Sequence, residues 1–263
     1  MKFNSKTIFG SLSAAIIITI AAIFGIGKDK TFTHLDHKES SKVHYLIVSG
    51  HGSILDGEYQ TAGKQSPCWP DSLKIYEGFS TKLLTYDLAS KLTLAGIDCT
   101  IINNYNTDMT LLERVQKVNN LFNIDKRIFL ISLHHDAQNA SQGDYTDFEG
   151  YKGYTSTNTG GATGLTVFTS PGKTESDNFA DNYLIPELKK YLPELTYRNS
   201  GKNKEANFTV LSKTYCSAVL IEFNFMTTWQ PDCKQIADPT VRNKYTSAIT
   251  SACINYNQYI SSK

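Results

Sequence analysis

Tyr45-Leu-Ile-Val-Ser-Gly-His-Gly52 is the stretch that decides how this chain is read. An apolar run able to fill a strand buried on both faces ends abruptly in a histidine between two glycines. A histidine so placed packs poorly in a core, because the backbone turns there and no flanking side chain covers it. The bland alternative is a solvated turn. The pattern recurs: Ile128-Phe-Leu-Ile-Ser-Leu133 runs into His134 and His135, and Ala218-Val-Leu-Ile221 runs into Glu222.

Around these runs the chain alternates. Strand-like segments lie at 43–49, 97–103, 128–133, 165–169 and 218–223. Between them Phe79, Leu83, Leu84, Leu88 and Leu92 recur at helical spacing, with Glu77 opening the stretch and Gly96 stopping it. Thr110-Leu-Leu-Glu113 is a capping-box sequence ahead of Leu111, Leu112, Val115, Val118 and Phe122. A helix from about Glu175 to Tyr191 must break or kink near Pro186. The last helix begins at Asp238-Pro239 and carries Val241, Tyr245, Ile249 and Ile254. This order predicts an α/β fold, a three-layer αβα arrangement around a mostly parallel twisted sheet, in a single domain over 43–263. In such sheets, sites form beyond the carboxyl ends of the strands, where His51, His134 and Glu222 all fall.

Two imidazoles and a carboxylate suit a catalytic zinc ion with one position left for water, and a second carboxylate can take the water's proton. Each residue has a plainer reading. Glu77 alone is an ordinary first-turn acid. His134 and His135 point to opposite sides of a strand, so simple geometry allows only one as a ligand. Glu222 follows four apolar residues, where an ionised carboxylate is costly unless paired or beside a metal; Arg114 or Arg198 could supply a structural salt bridge.

Hydrophobic residues make up 40% and charged residues 19%, as in a folded globular protein, and the net charge of +1 gives no field that would favour nucleic acid. Thr7 to Gly27 carries no charge and is long enough to span a bilayer, with Lys2 and Lys6 before it and Lys28, Asp29 and Lys30 after it. Residues 1–28 therefore read as a membrane anchor or a cleaved signal, the anchor being favoured because no clear cleavage site follows. Residues 29–42 read as a polar tether, so the folded domain is expected outside the inner compartment, at the cell surface or in the periplasm, or secreted after cleavage. Five cysteines at irregular spacing form no zinc knuckle, and Cys99 and Cys216 read as buried small hydrophobes.

At these residues the chain resembles the zinc-dependent N-acetylmuramoyl-L-alanine amidases, the peptidoglycan hydrolases of the amidase-3 type. Their pattern is a strand ending G-H-G, a glutamate opening the first long helix, a strand ending S-[IL]-H-x-[ND]-A, and a late strand reading apolar-E-x-G-F. Here these are Gly50-His-Gly52, Glu77-Gly78, Ser132-Leu-His-His-Asp-Ala137 and Leu220-Ile-Glu-Phe-Asn-Phe-Met226. Leu112-Glu-Arg114 with Asn119, and Asn207-Phe-Thr-Val-Leu211, are similar to further family segments. Thr61-Ala-Gly-Lys-Gln-Ser-Pro67 and Tyr76-Glu-Gly78 look like a variant found among phage and Bacteroidetes-type enzymes. The resemblance covers about residues 43–258 and leaves cellular and phage origin open.

The resemblance implies one Zn2+ per chain on His51, Glu77 and His134, with Glu222 as general base, and it picks His134 over His135. The substrate implied is peptidoglycan, cut at the amide between N-acetylmuramic acid and L-alanine. The alternatives are a zinc peptidase acting on the stem peptide and a non-catalytic wall-binding module. His135, Asn224 and Arg114 are further candidates for contacts to substrate or oxyanion, although Arg114, in the second turn of a capped helix, reads more readily as structural. Two departures stand out. Asn224 replaces the family's usual glycine, and the connections 53–76 and 138–163 are long. Tyr145, Tyr151 and Tyr154 in the second could pack on sugar or peptide, or belong to a surface insertion with no such role.

Overall fold

The computed structural model describes residues 41–69, 72–138 and 162–263, together with the strand segments 146–148 and 151–153. Among the described residues the strands are, in chain order, β1 His44–Ser49, β2 Ile54–Leu55, β3 Glu58–Tyr59, β4 Asp98–Ile101, β5 Ile128–Asp136, β6 Thr146–Phe148, β7 Tyr151–Gly153, β8 Thr166–Thr169, β9 Lys204–Glu205 and β10 Ser217–Phe225. The helices are α1 Glu77–Leu94, α2 Leu111–Ile124, α3 Thr174–Phe179, α4 Ile185–Tyr191, α5 Thr209–Ser212, α6 Lys234–Ala237 and α7 Pro239–Ser261.

Six strands form one sheet in the order β4-β1-β5-β10-β8-β9. The pairs β4–β1, β1–β5 and β5–β10 are parallel, as expected of strands joined through helices. The segment 165–169 departs from the mostly parallel expectation: β8 runs antiparallel to β10, so the sheet is mixed. The reason lies in the connection. Thr166, the first residue of β8, pairs with Glu222, so β8 starts at the carboxyl end of the sheet, where β5 finishes. Among the described residues, the link between β5 and β8 holds the β6–β7 hairpin and no helix to return the chain to the opposite end.

Alternation along the strands builds the layers. Tyr45, Ile47, Phe129, Ile131, Leu133, Val219, Ile221 and Phe223 pack with Leu84, Leu88 and Leu92 of α1 and Tyr245 and Ile249 of α7. Leu46, Val48, Leu130 and Leu220 face the other way and meet Val118 of α2 and Val210 and Leu211 of α5. Each fully buried leucine or isoleucine of this kind contributes about 1.5–3 kcal/mol. A third cluster, Trp69, Ile75, Met226, Trp229, Cys233 and Ile236, packs beyond the end of β10, with Trp69 stacked on Trp229 at 5.4 Å.

Some local expectations shift. Phe79 and Leu83 do not join the buried stripe of α1; they are 45% and 42% exposed. The buried residues of α1 include Gly78, Thr81, Leu84, Thr85, Leu88 and Leu92. A Cβ on Gly78 would lie 1.6 Å from the Gly52 carbonyl oxygen, and that contact sets the helix rotation. Leu111 and Leu112 are likewise exposed, while Arg114, Val115 and Val118 are buried. The kink near Pro186 appears as a wide turn at Ala180–Leu184 just ahead of α4, where the proline ring cannot donate a backbone hydrogen bond. Asp238 caps α7 by accepting from the Thr240 N–H at 2.7 Å. All five cysteines are free, Cys216 buried and Cys99 partly so.

The segment 7–27 and nearly all of the tether lie outside the described residues. Among those described, no helix is long and apolar enough to cross a membrane. Tyr145 and Tyr154 also lie outside them, and of Tyr151 only the backbone, in β7, is described.

Candidate metal centre

The carboxyl end of the sheet brings four of the chosen residues together. Parallel pairing of β5 and β10 sets Glu222 opposite His134. His51 sits two residues beyond β1, with its backbone in the left-handed region at φ 58°. That conformation is uncommon for a residue with a Cβ and marks a turn imposed by its surroundings. The flanking glycines are there because nothing larger fits. A Cβ on Gly50 would lie 2.5 Å from His134 Nδ1, and one on Gly52 would lie 2.7 Å from the Asp108 N.

Glu77 reaches in from the first turn of α1 and holds both imidazoles. Its Oε1 lies 3.0 Å from His134 Nδ1, and its Oε2 lies 3.2 Å from His51 Nε2. The backbone N–H of His135 adds a bond to Oε1 at 3.3 Å. One ligand-type atom from each of His51, Glu77 and His134 lies within 4.8 Å of the others, a set that could hold a metal ion. Burial works to raise the pKa of Glu77, but the bonds to His134 and His51 outweigh it and hold the carboxyl below the ordinary range. Burial lowers the pKa of His134, against the pull of Glu77, which favours the neutral ring a ligand must present.

Glu222 has no such support. Its Oε2 is buried without a hydrogen-bond partner. Burial, with the charges of Glu77 and Asp136 added, pushes its carboxyl well above the ordinary range. Neither arginine considered for a salt bridge provides one. Arg114 pairs with Asp108 at 3.1 Å, and Arg198 pairs with Asp136 at 2.8 Å.

A family model described as N-acetylmuramoyl-L-alanine amidase, of the amidase-3 type, matches residues 46–255. The chain belongs to that family. Among solved structures, an amidase from Clostridium difficile 630 is similar at 21% identity and TM-score 0.63, over 82% of this chain and 97% of that one. The amidase AmiC2 of Nostoc punctiforme matches at 17% identity and TM-score 0.60, over 83% and 99%. The catalytic domain of the CD27L endolysin, which targets Clostridia Difficile, matches at 18% and 0.55, over 81% and 97%. These likenesses show the shared fold. No curated protein matches the chain significantly.

The remaining candidates of this amidase fall into supporting places. Strand alternation turns His135 toward α1, where it is 4% exposed. Its Nδ1 bonds the Phe223 carbonyl at 2.8 Å and its Nε2 bonds the Ser80 hydroxyl at 2.9 Å. Both ring nitrogens are thus engaged, and burial pulls its pKa down to about 4. Asn224 is fully buried and adopts φ 60°, inside a register shift between Glu222 and Phe225. That left-handed position explains glycine in the family and asparagine here, since asparagine tolerates it better than most residues. Its amide donates to Gln235 Oε1 at 2.6 Å. Arg114 is 2% exposed and donates to the Ser49 carbonyl at 2.6 Å, just ahead of the Gly50-His-Gly52 turn. Asp108, its ion-pair partner, accepts from the Thr61 hydroxyl at 2.7 Å, and Thr61 Oγ1 accepts the Gly52 N–H at 2.9 Å. This chain of bonds fastens both ends of the turn that carries His51.

Thr61 was not singled out as a site residue from the sequence. A signal was available in Asp56-Gly57, a two-residue hairpin sequence that folds the 53–76 connection back toward the site.

Proposed function

We propose that this chain is a zinc-dependent peptidoglycan hydrolase that cuts the amide between N-acetylmuramic acid and the L-alanine of the stem peptide. The observation that carries this reading is Glu222: a buried carboxyl oxygen without a partner, beside a two-histidine, one-carboxylate cluster, in a chain of the amidase family. The donor set fits zinc, since it offers two imidazoles and one carboxylate and leaves a second carboxylate outside it. His51, Glu77 and His134 would hold the ion. Bound zinc polarises the scissile carbonyl and acidifies the attacking water.

The protein's own share is positioning and proton transfer. Glu222 takes the proton from the attacking water at a carboxylate oxygen and delivers it to the departing alanine nitrogen, which must be protonated to leave. His135, locked by Phe223 and Ser80, fixes the rotation of β5 from beneath, and Asn224 shapes the bulge beside the base. Export follows if residues 7–27 act as an anchor or signal, and the mature N-terminus, read by protein sequencing, decides which.

Mass spectrometry of digested muropeptides tests the reaction. Intact glycan together with free stem peptides starting at L-alanine is expected, and cleavage inside the stem would instead identify a peptidase. Chelation should stop the reaction and zinc should restore it. Glu222→Gln should keep the metal and lose activity by about a hundredfold or more; loss of the metal in that variant would make Glu222 a ligand.

A further inference from the structure

Tyr59 lies in the 53–76 connection, on a short hairpin whose turn, Asp56-Gly57, is left-handed at both residues, φ 51° and 84°. Asp-Gly favours that two-residue geometry, and the pairing sets Tyr59 opposite Ile54. The ring of Tyr59 packs on Tyr76 with centroids 4.8 Å apart. Its hydroxyl thereby arrives at the first turn of α1. It accepts the Gly78 N–H at 2.9 Å and donates to the Lys64 carbonyl at 2.8 Å. That carbonyl also accepts the Glu77 N–H at 3.1 Å. One phenol therefore serves, directly and through Lys64, the two backbone N–H groups on either side of the Glu77 Cα. Tyr76, at the N-cap position, makes no side-chain cap bond of its own. Burial pushes the phenol pKa up to about 12, so it keeps the proton it donates at neutral pH.

We infer that Tyr59 is a positioning residue for Glu77, fixing the helix start from which that carboxylate meets His51 and His134 and so setting how tightly the site holds its ion. Ligand placement tolerates errors of only about half an ångström, and a helix start whose first N–H groups lack partners frays. The hairpin supplies those partners from a different part of the chain. The inference rests on the zinc reading proposed above.

Tyr59→Phe tests it, because the ring contact with Tyr76 stays and only the hydroxyl goes. Zinc dissociation constants are measured by competition with a chromophoric chelator, beside thermal unfolding of the metal-free protein. The expected result is a zinc dissociation constant raised about tenfold or more, with metal-free unfolding little changed. Hydrolysis lost at low free zinc should return as zinc is raised, with KM unchanged. Tyr86→Phe is the control, since the Tyr86 hydroxyl donates to the Asn104 carbonyl at 3.1 Å further along the same helix; it should bind zinc as the wild type does. Wild-type affinity in Tyr59→Phe, or equal losses in both variants, overturns the inference and leaves the zinc reading standing. A wild-type protein that takes up no zinc overturns both.

Discussion

The starts of α1 and α2 are built in opposite ways. α2 caps itself: Thr110 accepts the Glu113 N–H at 3.3 Å, and Glu113 Oε2 accepts the Thr110 N–H at 2.8 Å. Every partner lies within four consecutive residues, in water. α1 borrows its cap from the hairpin at 54–59, and its first-turn acid is buried and turned toward two imidazoles. The same residue type in the first turn, at the third helical position of α2 and the first of α1, thus stabilises its own helix in one and meets two imidazoles in the other. The Glu77 carboxylate faces the imidazoles, and the partners for the first N–H groups of α1 come from Tyr59 and Lys64.

The largest effect should separate the two acids. Glu77→Ala is expected to abolish metal binding and reduce hydrolysis by orders of magnitude, whereas Glu113→Ala should keep both. Metal content after gel filtration and muropeptide turnover measure this, and a Glu77→Ala protein that retains stoichiometric zinc breaks the comparison. Next in size is Gly78→Ala. Its Cβ would fall 1.6 Å from the Gly52 carbonyl oxygen, a backbone atom, so α1 or the His51 turn must move. A loss of about 3 kcal/mol or more is expected in urea unfolding, with activity falling alongside; an unchanged midpoint would mean the helix start is not held there. On the other helix, Thr110→Ala should cost only about 1 kcal/mol and leave turnover intact.

This contrast also explains what the sequence could reveal. The capping box of α2, the Asp238 cap of α7 and the apolar strand runs are local patterns, and each reads directly. His51, His134 and Glu222 read almost as directly, since each closes an apolar run and parallel strands collect such ends. The choice between His134 and His135 was less accessible. It depends on Ser80 and the Phe223 carbonyl, which meet His135 only in the folded sheet. The exposed side of α1 is hidden from the sequence for a similar reason. Phe79 and Leu83 share helical spacing with the buried Leu84, Leu88 and Leu92, but the close approach of Gly78 to Gly52 holds the neighbouring side of the helix inward. The antiparallel course of β8 follows from where its connection returns, which spacing does not encode.

The smallest effect is a pH dependence, and it probes the self-capped start alone. The Thr110 hydroxyl and backbone N–H both donate to Glu113 and hold its carboxyl below the ordinary range, although the side chain is exposed. The folded protein therefore binds this proton less readily than the unfolded chain does. Its contribution to stability is complete above about pH 4.5, the ordinary glutamate value, and is lost as pH falls through the lower folded value. Urea unfolding of the wild type and Glu113→Ala at steps from neutral pH into acid should show a stability gap that holds to about pH 5 and then narrows. A gap of constant size throughout would mean that Glu113 acts by helix propensity and not through its charge. Glu77 is also held below the ordinary range, by His134 and His51 and not by a helix end, so its contribution too is lost as pH falls. Its carboxylate is bonded to both imidazoles, so its titration belongs to the cluster as a whole.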